Sequence, residues 1–164
     1  MRRVKLLVSI ALILTVSAGI GLKLGYFDKV DEDITAAESG DATAQYQLAM
    51  MYRFGLSGKD KSELQAAEWY LKAAKQGHAD AQCDLAAMYS KSDLPELQKE
   101  ALFWYNKAAE QGLARAQWNL GLAYGRGEIG LPVDEMKSFY LVRQAARQGY
   151  APAQELLRAA NTQW

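Results

Sequence analysis

Small and apolar residues recur along this chain at helical spacing, and the whole arrangement then recurs at a longer period. Ala44, Leu48 and Met51/Tyr52 follow the i, i+4, i+7/i+8 pattern that predicts one buried face of an α-helix. Ala66, Trp69/Tyr70 and Ala73/Ala74 predict a second such helix after a polar, glycine-containing interval. The hexapeptide Gly-x-Ala-x-Ala-Gln opens each cycle, at Gly40, Gly77, Gly112 and Gly149, which are 37, 35 and 37 residues apart. Eight residues beyond these glycines stand Leu48, Leu85, Leu120 and Leu157. Twelve residues beyond stand Tyr52, Tyr89 and Tyr124, replaced by Asn161 in the last copy. Self-similarity at such a period is the signature of a solenoid, in which one unit cannot bury its apolar face alone and stacking its neighbours completes the core.

Each unit therefore reads as two antiparallel helices. The alanines let the helices approach closely, and Trp and Tyr fill the space left over. Before the later glycines run Trp69-Tyr70-Leu71-Lys72-Ala73-Ala74-Lys75-Gln76, Trp104-Tyr105-Asn106-Lys107-Ala108-Ala109-Glu110-Gln111 and the weaker Leu141-Val142-Arg143-Gln144-Ala145-Ala146-Arg147-Gln148. Together with Ala-x-Ala-Gln-x-x-Leu-Ala-x-x-Tyr, these segments resemble the Sel-one-like repeat family, relatives of the tetratricopeptide repeats, over about residues 36–160. The resemblance agrees with the fold read from the residues: an all-α, right-handed α/α solenoid of about three helix-turn-helix repeats with half-repeat caps. Repeats are expected at 40–76, 77–111 and 112–148, with a half-repeat cap at 149–164, inside a domain spanning 32–164. Residues 33–40 match the tail of a second helix and read as an N-terminal cap. Glycine after each Ala-Ala-x-Gln run suits a left-handed C′ position, and Gly55 and Gly127 are expected to end first helices. Asp60-x-x-Glu63 and Asp93-x-x-Glu96 resemble capping boxes, and Asp134 is expected to open the second helix of the third repeat.

Residues 1–22 are of another kind. Arg2, Arg3 and Lys5 precede Leu6–Leu22, 17 residues without a charge. At ~1.5 Å per residue this spans roughly 26 Å, close to a hydrocarbon core of ~30 Å. The segment reads either as a single-pass anchor, extended past Lys23 to Tyr26 and Phe27, or as a signal peptide cleaved after Val16-Ser17-Ala18. Residues 23–31 form a linker. With the positive end retained inside, both readings carry the repeats out of the cytoplasm. In a Gram-negative cell that compartment is the periplasm, with the domain held at the inner membrane or free of it.

The net charge is zero over 19 basic and 19 acidic residues, yet the tail carries three of the bases and no acid. The repeats thus lean acidic, which argues against a nucleic-acid surface. A hydrophobic content of 50% excludes global disorder. Cys83 is the single cysteine and His78 the single histidine, so neither an internal disulfide nor a paired-cysteine or histidine-cluster metal site can form. No nucleophile elbow, phosphate loop or zinc-protease motif occurs. No cofactor and no enzyme activity are expected. One branch of the resembling family carries a cysteine pair in every repeat and is linked to penicillin binding or β-lactam hydrolysis; this chain lacks those pairs.

Candidate function therefore lies on a surface. In related superhelices the first helix of each repeat lines the concave face, through positions 3, 6, 10 and 13 after the repeat glycine. Here these include Tyr46, Met50 and Arg53 in the first copy, Cys83 in the second, and Arg115, Trp118 and Leu122 in the third. The frame repeats while these residues vary, as a recognition surface requires, and Tyr, Trp and Arg are hot-spot types. The competing reading has Tyr46 and Trp118 packing between neighbouring helices. The resemblance implies a protein-protein interaction module of the cell envelope, an adaptor binding a protein or peptide along that face, with an immunity protein against a secreted toxin as the alternative.

Overall fold

Glycine sets the outline of the architecture. Gly40, Gly77, Gly112 and Gly149 all adopt the left-handed region, with φ of 107°, 89°, 86° and 85°. Each closes a Schellman turn, as the sequence predicts. At Gly77 the N–H donates to the Ala74 carbonyl at 3.0 Å, and the next N–H, from His78, reaches back to Ala73 at 3.1 Å. The same pair of bonds recurs around Gly40, Gly112 and Gly149. The residue after each glycine is already the N-cap of the following helix, so the chain reverses in two residues.

The computed structural model describes residues 32–160. They form eight helices and no strand: α1 (residues 32–38), α2 (Ala42–Phe54), α3 (Glu63–Lys75), α4 (Ala79–Tyr89), α5 (Pro95–Glu110), α6 (Ala114–Arg126), α7 (Glu135–Arg147) and α8 (Ala151–Ala159). Each packs chiefly on its sequence neighbours, within a repeat (α2 on α3, α4 on α5, α6 on α7) and across repeats (α3 on α4, α5 on α6, α7 on α8). This is the expected all-α repeat solenoid. The expected anchor or signal peptide, the linker and residues 161–164 lie outside the described residues. Among the described residues no helix is long and apolar enough to cross a membrane.

The pattern positions supply the core. Leu48, Leu85, Leu120 and Leu157 are all buried, Leu85 completely, and Tyr70, Trp104 and Tyr105 sit among the alanines of the second helices. The third repeat lacks the aromatic pair and closes the gap with glycine. A Cβ at Gly121 would stand 3.0 Å from Val142 Cγ2, and one at Gly125 would stand 2.8 Å from Ser138 Oγ. The glutamine of the hexapeptide ties the stack together. Gln82 Nε2 donates to the Ala74 carbonyl at 3.0 Å, and its Oε1 accepts from Gln111 Nε2 at 2.7 Å. Gln45 and Gln117 do the same with Ala37 and Gln76, and with Ala109 and Gln148. These buried amides are satisfied only when successive repeats stand in register, so they fix register as well as removing a desolvation cost.

Helix starts depart from the sequence reading at two places. Ser62, rather than Asp60, caps α3, accepting from Gln65 N at 3.3 Å, because the Ser62 N–H is tied to the Tyr52 carbonyl at 2.8 Å and fixes where the helix begins. The α5 helix starts at Pro95, whose preset φ suits the first helical position; its N-cap, Leu94, gives no side-chain bond, and Asp93 lies outside. Asp134 does cap α7, accepting from Lys137 N at 2.9 Å, and Gly55 and Gly127 do end α2 and α6 in left-handed conformation.

Candidate functional site

Side chains bridge α2, α4 and α6 directly, so the three first helices form a continuous row. The bridge centres on Asp84, seven residues after Gly77, whose side chain is only 6% exposed. Its Oδ1 accepts from Arg115 Nη1 at 2.7 Å and pairs with Arg53 Nη1 at 3.3 Å. Its Oδ2 accepts from the Tyr46 hydroxyl at 3.1 Å. Arg115 also reaches Asp80 through Nη2 at 3.1 Å. One buried carboxylate thus holds a cation from the repeat before and a cation from the repeat after. Burial of such a charge is tolerable because both carboxylate oxygens find donors, two of them cationic.

The aromatic surroundings extend the network. The Tyr46 ring stacks on His78 at 4.7 Å and leans on Tyr70 at 5.7 Å. Burial, reinforced by the Asp84 carboxylate, pushes the Tyr46 phenol well above its ordinary pKa. Burial also raises Tyr70, against the pull of the Arg53 guanidinium that faces its hydroxyl. For Arg53 and Arg115 burial is the largest single influence and works against the charged form, but Tyr70 with Asp84, and Asp84 with Cys83 and Asp80, together outweigh it and hold both guanidiniums above their usual range. His78 Nδ1 accepts from Ala81 N at 3.3 Å, making this side chain the N-cap of α4.

Of the seven residues singled out in the sequence, the structure brings Tyr46, Arg53 and Arg115 together around Asp84. Met50 is half-buried against the main core. Trp118 packs on the terminal core, its ring 6.0 Å from that of Tyr150. Tyr46 and Trp118 therefore pack between helices while keeping part of their surface open. Leu122 lines a pocket of about 200 Å³ with Ser90, Tyr105 and Asn119. Cys83, the equivalent position of the second copy to Tyr46 and Trp118, is the most enclosed of the seven. It is fully buried, 3.9 Å from Asn119 Nδ2, and burial pushes its thiol up to about 11. The equivalent Tyr46 and Trp118 are only part-buried, whereas Cys83 is wholly enclosed because α4 is covered on both sides, buried without a break from Ala81 to Ala86.

Asp84 and Asp80 complete the site, and Asp84 was not singled out from the sequence. The available signal was a lone acid inside the apolar run Ala81-Gln82-Cys83-Asp84-Leu85-Ala86, beside the framework leucine. Among the described residues no group of three or more His, Cys, Asp or Glu side chains is arranged to hold a metal ion.

Comparison with known proteins finds three repeats in the chain. Residues 42–78, 79–113 and 114–150 each match the Sel1 repeat. A protective antigen present in uropathogenic Escherichia coli strains and displaying an SLR fold is similar at 40% identity and a TM-score of 0.71, over 76% of this chain and 27% of its own. A Sel1 repeat protein from Oxalobacter formigenes is similar at 30% identity and a TM-score of 0.68, over 80% of this chain and 98% of its own. An immunity protein from Pseudomonas aeruginosa is similar at 26% identity and a TM-score of 0.53, over 78% of this chain and 48% of its own. This chain thus spans about a quarter of the antigen and about half of the immunity protein. No curated protein matches it.

Proposed function

The chain belongs to the Sel1 repeat family, and from that premise we propose that it is a non-enzymatic adaptor that binds an extended segment of a partner protein along the row of first helices α2, α4 and α6. Sel1 repeat proteins are protein-interaction modules, generally without catalysis of their own. The observation that carries the reading here is the network on Asp84. It locks three consecutive first helices in register and leaves the Arg53 and Arg115 side chains 24% and 36% exposed on one face. A face held this way is preorganised, so little ordering cost falls on the solenoid when a partner docks. The chemistry of Asp84 is consistent with this role, since its donors are already committed within the network.

The test is positional. A photo-crosslinking amino acid is placed in the full chain at Thr43 or Leu122 on the first-helix row, and at Leu64, Phe103 or Met136 on second helices. Adducts with one partner from the first set alone support the reading. Adducts only from the second set overturn it.

We also propose that the domain works in the cell envelope, tethered by residues 1–22 or released after their cleavage; the charge and apolar pattern of that segment support this. N-terminal sequencing of the mature protein, with protease accessibility in spheroplasts, tests it. A protein that starts at Met1 and resists protease in spheroplasts but is cut after lysis would refute export. A second reading, an immunity protein neutralising a secreted toxin, is favoured by the similarity to the Pseudomonas aeruginosa immunity protein. A neighbouring gene whose product halts growth when exported, and is neutralised by this chain, would select it over the adaptor.

A further inference from the structure

Turns within a repeat lie on one edge of the solenoid, and turns between repeats lie on the opposite edge. The amide bonds Gln45–Gln76, Gln82–Gln111 and Gln117–Gln148 set the start of each first helix beside the end of the second helix of its repeat, so each pair is antiparallel. Neighbouring turns adjoin along the first edge. Arg53 at the end of α2 and Glu63 at the start of α3 line one cavity, about 280 Å³, with Lys91 and Ser92 of the α4–α5 turn. Ser90, just after α4, shares the next cavity with Arg126, Glu128 and Ile129 at the end of α6.

Exposed apolar side chains collect on that edge. Of the ten large hydrophobic residues exposed among the described residues, six lie in these turns or within two residues of them: Phe54, Leu56, Leu64, Leu94, Val133 and Met136. None lies that close to a turn of the opposite edge. Leu64 and Met136 are 73% and 79% exposed. The long turns are held in place. The Ser62 N–H donates to the Tyr52 carbonyl at 2.8 Å, and in the third repeat the Asp134 N–H donates to the Tyr124 carbonyl at 2.9 Å. Apolar side chains gathered and fixed along one exposed edge mark an interaction surface.

The path of the chain points to what covers it. Helix α1 runs into the Gly40 turn on the opposite edge, so its start at residue 32 is directed towards the apolar edge. Ile34 of α1 joins the Ala37, Ala44 and Leu48 cluster together with Met51 and Tyr52, near the end of α2. With seven residues against thirteen in α2, α1 stops about 10 Å short of that edge. The nine residues 23–31 reach at most ~30 Å. A bilayer holding residues 6–22 is thus kept within roughly 30 Å of residue 32, and the chain enters the domain from the apolar side. The turns carry no cationic surplus: Lys59 and Lys61 stand with Asp60 and Glu63, and Lys91 stands with Asp93. Attraction to lipid there is apolar rather than electrostatic.

We propose that this edge rests on the bilayer that holds residues 1–22, with Phe54, Leu56, Leu94, Val133 and Met136 dipping into the boundary between headgroups and acyl chains. This rests on the tethered form of the envelope reading above. The helix axes then stand away from the membrane, and the first-helix row faces sideways, open to a partner.

The experiment reconstitutes the full, uncleaved chain in phosphatidylcholine vesicles. In a Cys83→Ala background, an environment-sensitive fluorophore is attached at Leu56→Cys, Leu94→Cys or Met136→Cys, and at Lys75→Cys or Gln111→Cys on the opposite edge; all five positions are exposed. Lipids carrying a nitroxide high on the acyl chain act as the quencher. The expected result is a blue shift with quenching at the first three positions alone, persisting at ~1 M salt, where screening acts within ~3 Å. Leu94→Asp with Met136→Asp should abolish quenching at Leu56→Cys and leave the far-UV circular dichroism unchanged. In a chain that floats with the vesicles after an alkaline wash, quenching at both edges or at neither overturns the docking and leaves the anchor standing. A blue shift without lipid quenching shows that a second copy covers the edge, and also overturns it. A chain that does not float with the vesicles, or a mature protein that begins beyond residue 18, removes the tether and the proposal together.

Discussion

Replacing Asp84 by alanine is the sharpest probe of how the stack is held. The change removes one carboxylate and leaves three donors, Arg53, Arg115 and the Tyr46 hydroxyl, without their common acceptor. A bond to a charged group is worth about 1.5–3 kcal/mol net, and truncating one partner of a fully buried pair costs about 3–5 kcal/mol. The present case falls below the upper end. Arg115 keeps Asp80, and at 24% and 36% exposure both guanidiniums regain some water. Loss of about 2–4 kcal/mol is expected. Asp80→Ala is the internal control. It removes an ion pair with Arg115 whose carboxylate is 48% exposed, and should cost no more than about 1 kcal/mol. The assay is urea unfolding followed by far-UV circular dichroism, with an unchanged m-value showing that the unfolding transition has kept its extent. Pairing Asp84→Ala with Arg115→Ala and then with Arg53→Ala should give the larger coupling to Arg115, whose bond is shorter. An Asp84→Ala protein within about 0.5 kcal/mol of the parent, or an Asp80→Ala protein equally destabilised, would refute the claim that a single buried carboxylate ties three repeats together.

Three further outcomes follow from the same structure. Leu85→Ala should cost about 2–5 kcal/mol in the same assay, since Leu85 is fully buried and a cavity adds to the lost transfer energy; a smaller effect would mean the stack collapses around it. Leu94→Asp should stabilise by about 1 kcal/mol, because Leu94 is a 59% exposed N-cap without a side-chain bond, already in extended conformation before Pro95, and an unchanged midpoint would rule the cap out. Alkaline pH should weaken the fold. The Cys83 thiol is held near 11 while an unfolded thiol ionises near 8.5, so above that value the unfolded chain loses its proton first and stability falls, by about 2–3 kcal/mol between roughly pH 9 and 11. Melting temperatures across that range should decline less steeply in Cys83→Ala, and identical slopes would show that the thiol is not the group responsible.

Much of this architecture was legible along the chain because the interactions that build it are local or periodic. The Ala-Ala-x-Gln-Gly runs name their own Schellman turns, since only glycine takes the left-handed C′ position without strain. The leucines eight residues on name the buried face, and Asp134 names a helix start. Where the reading failed, a contact from elsewhere in the chain had the deciding vote. Asp60-x-x-Glu63 has the letters of a capping box, but the bond from Ser62 N to the Tyr52 carbonyl sets the start two residues later.

The sequence by itself determined the period, the two-helix unit, the all-α solenoid and the framework residues of its core, because helix spacing and glycine conformation are properties of neighbouring residues. Tertiary structure alone decided that Cys83 is enclosed while Arg53 and Arg115, at other varying positions, stay partly open. It alone made Asp84 the joint of the first-helix row. Arg53 and Arg115 lie 31 residues before and after Asp84, each in a different repeat. Whether they meet it depends on how far each repeat is rotated and shifted against the next. That register comes from the summed packing of alanines, leucines and the bridging glutamines, and no local pattern encodes it.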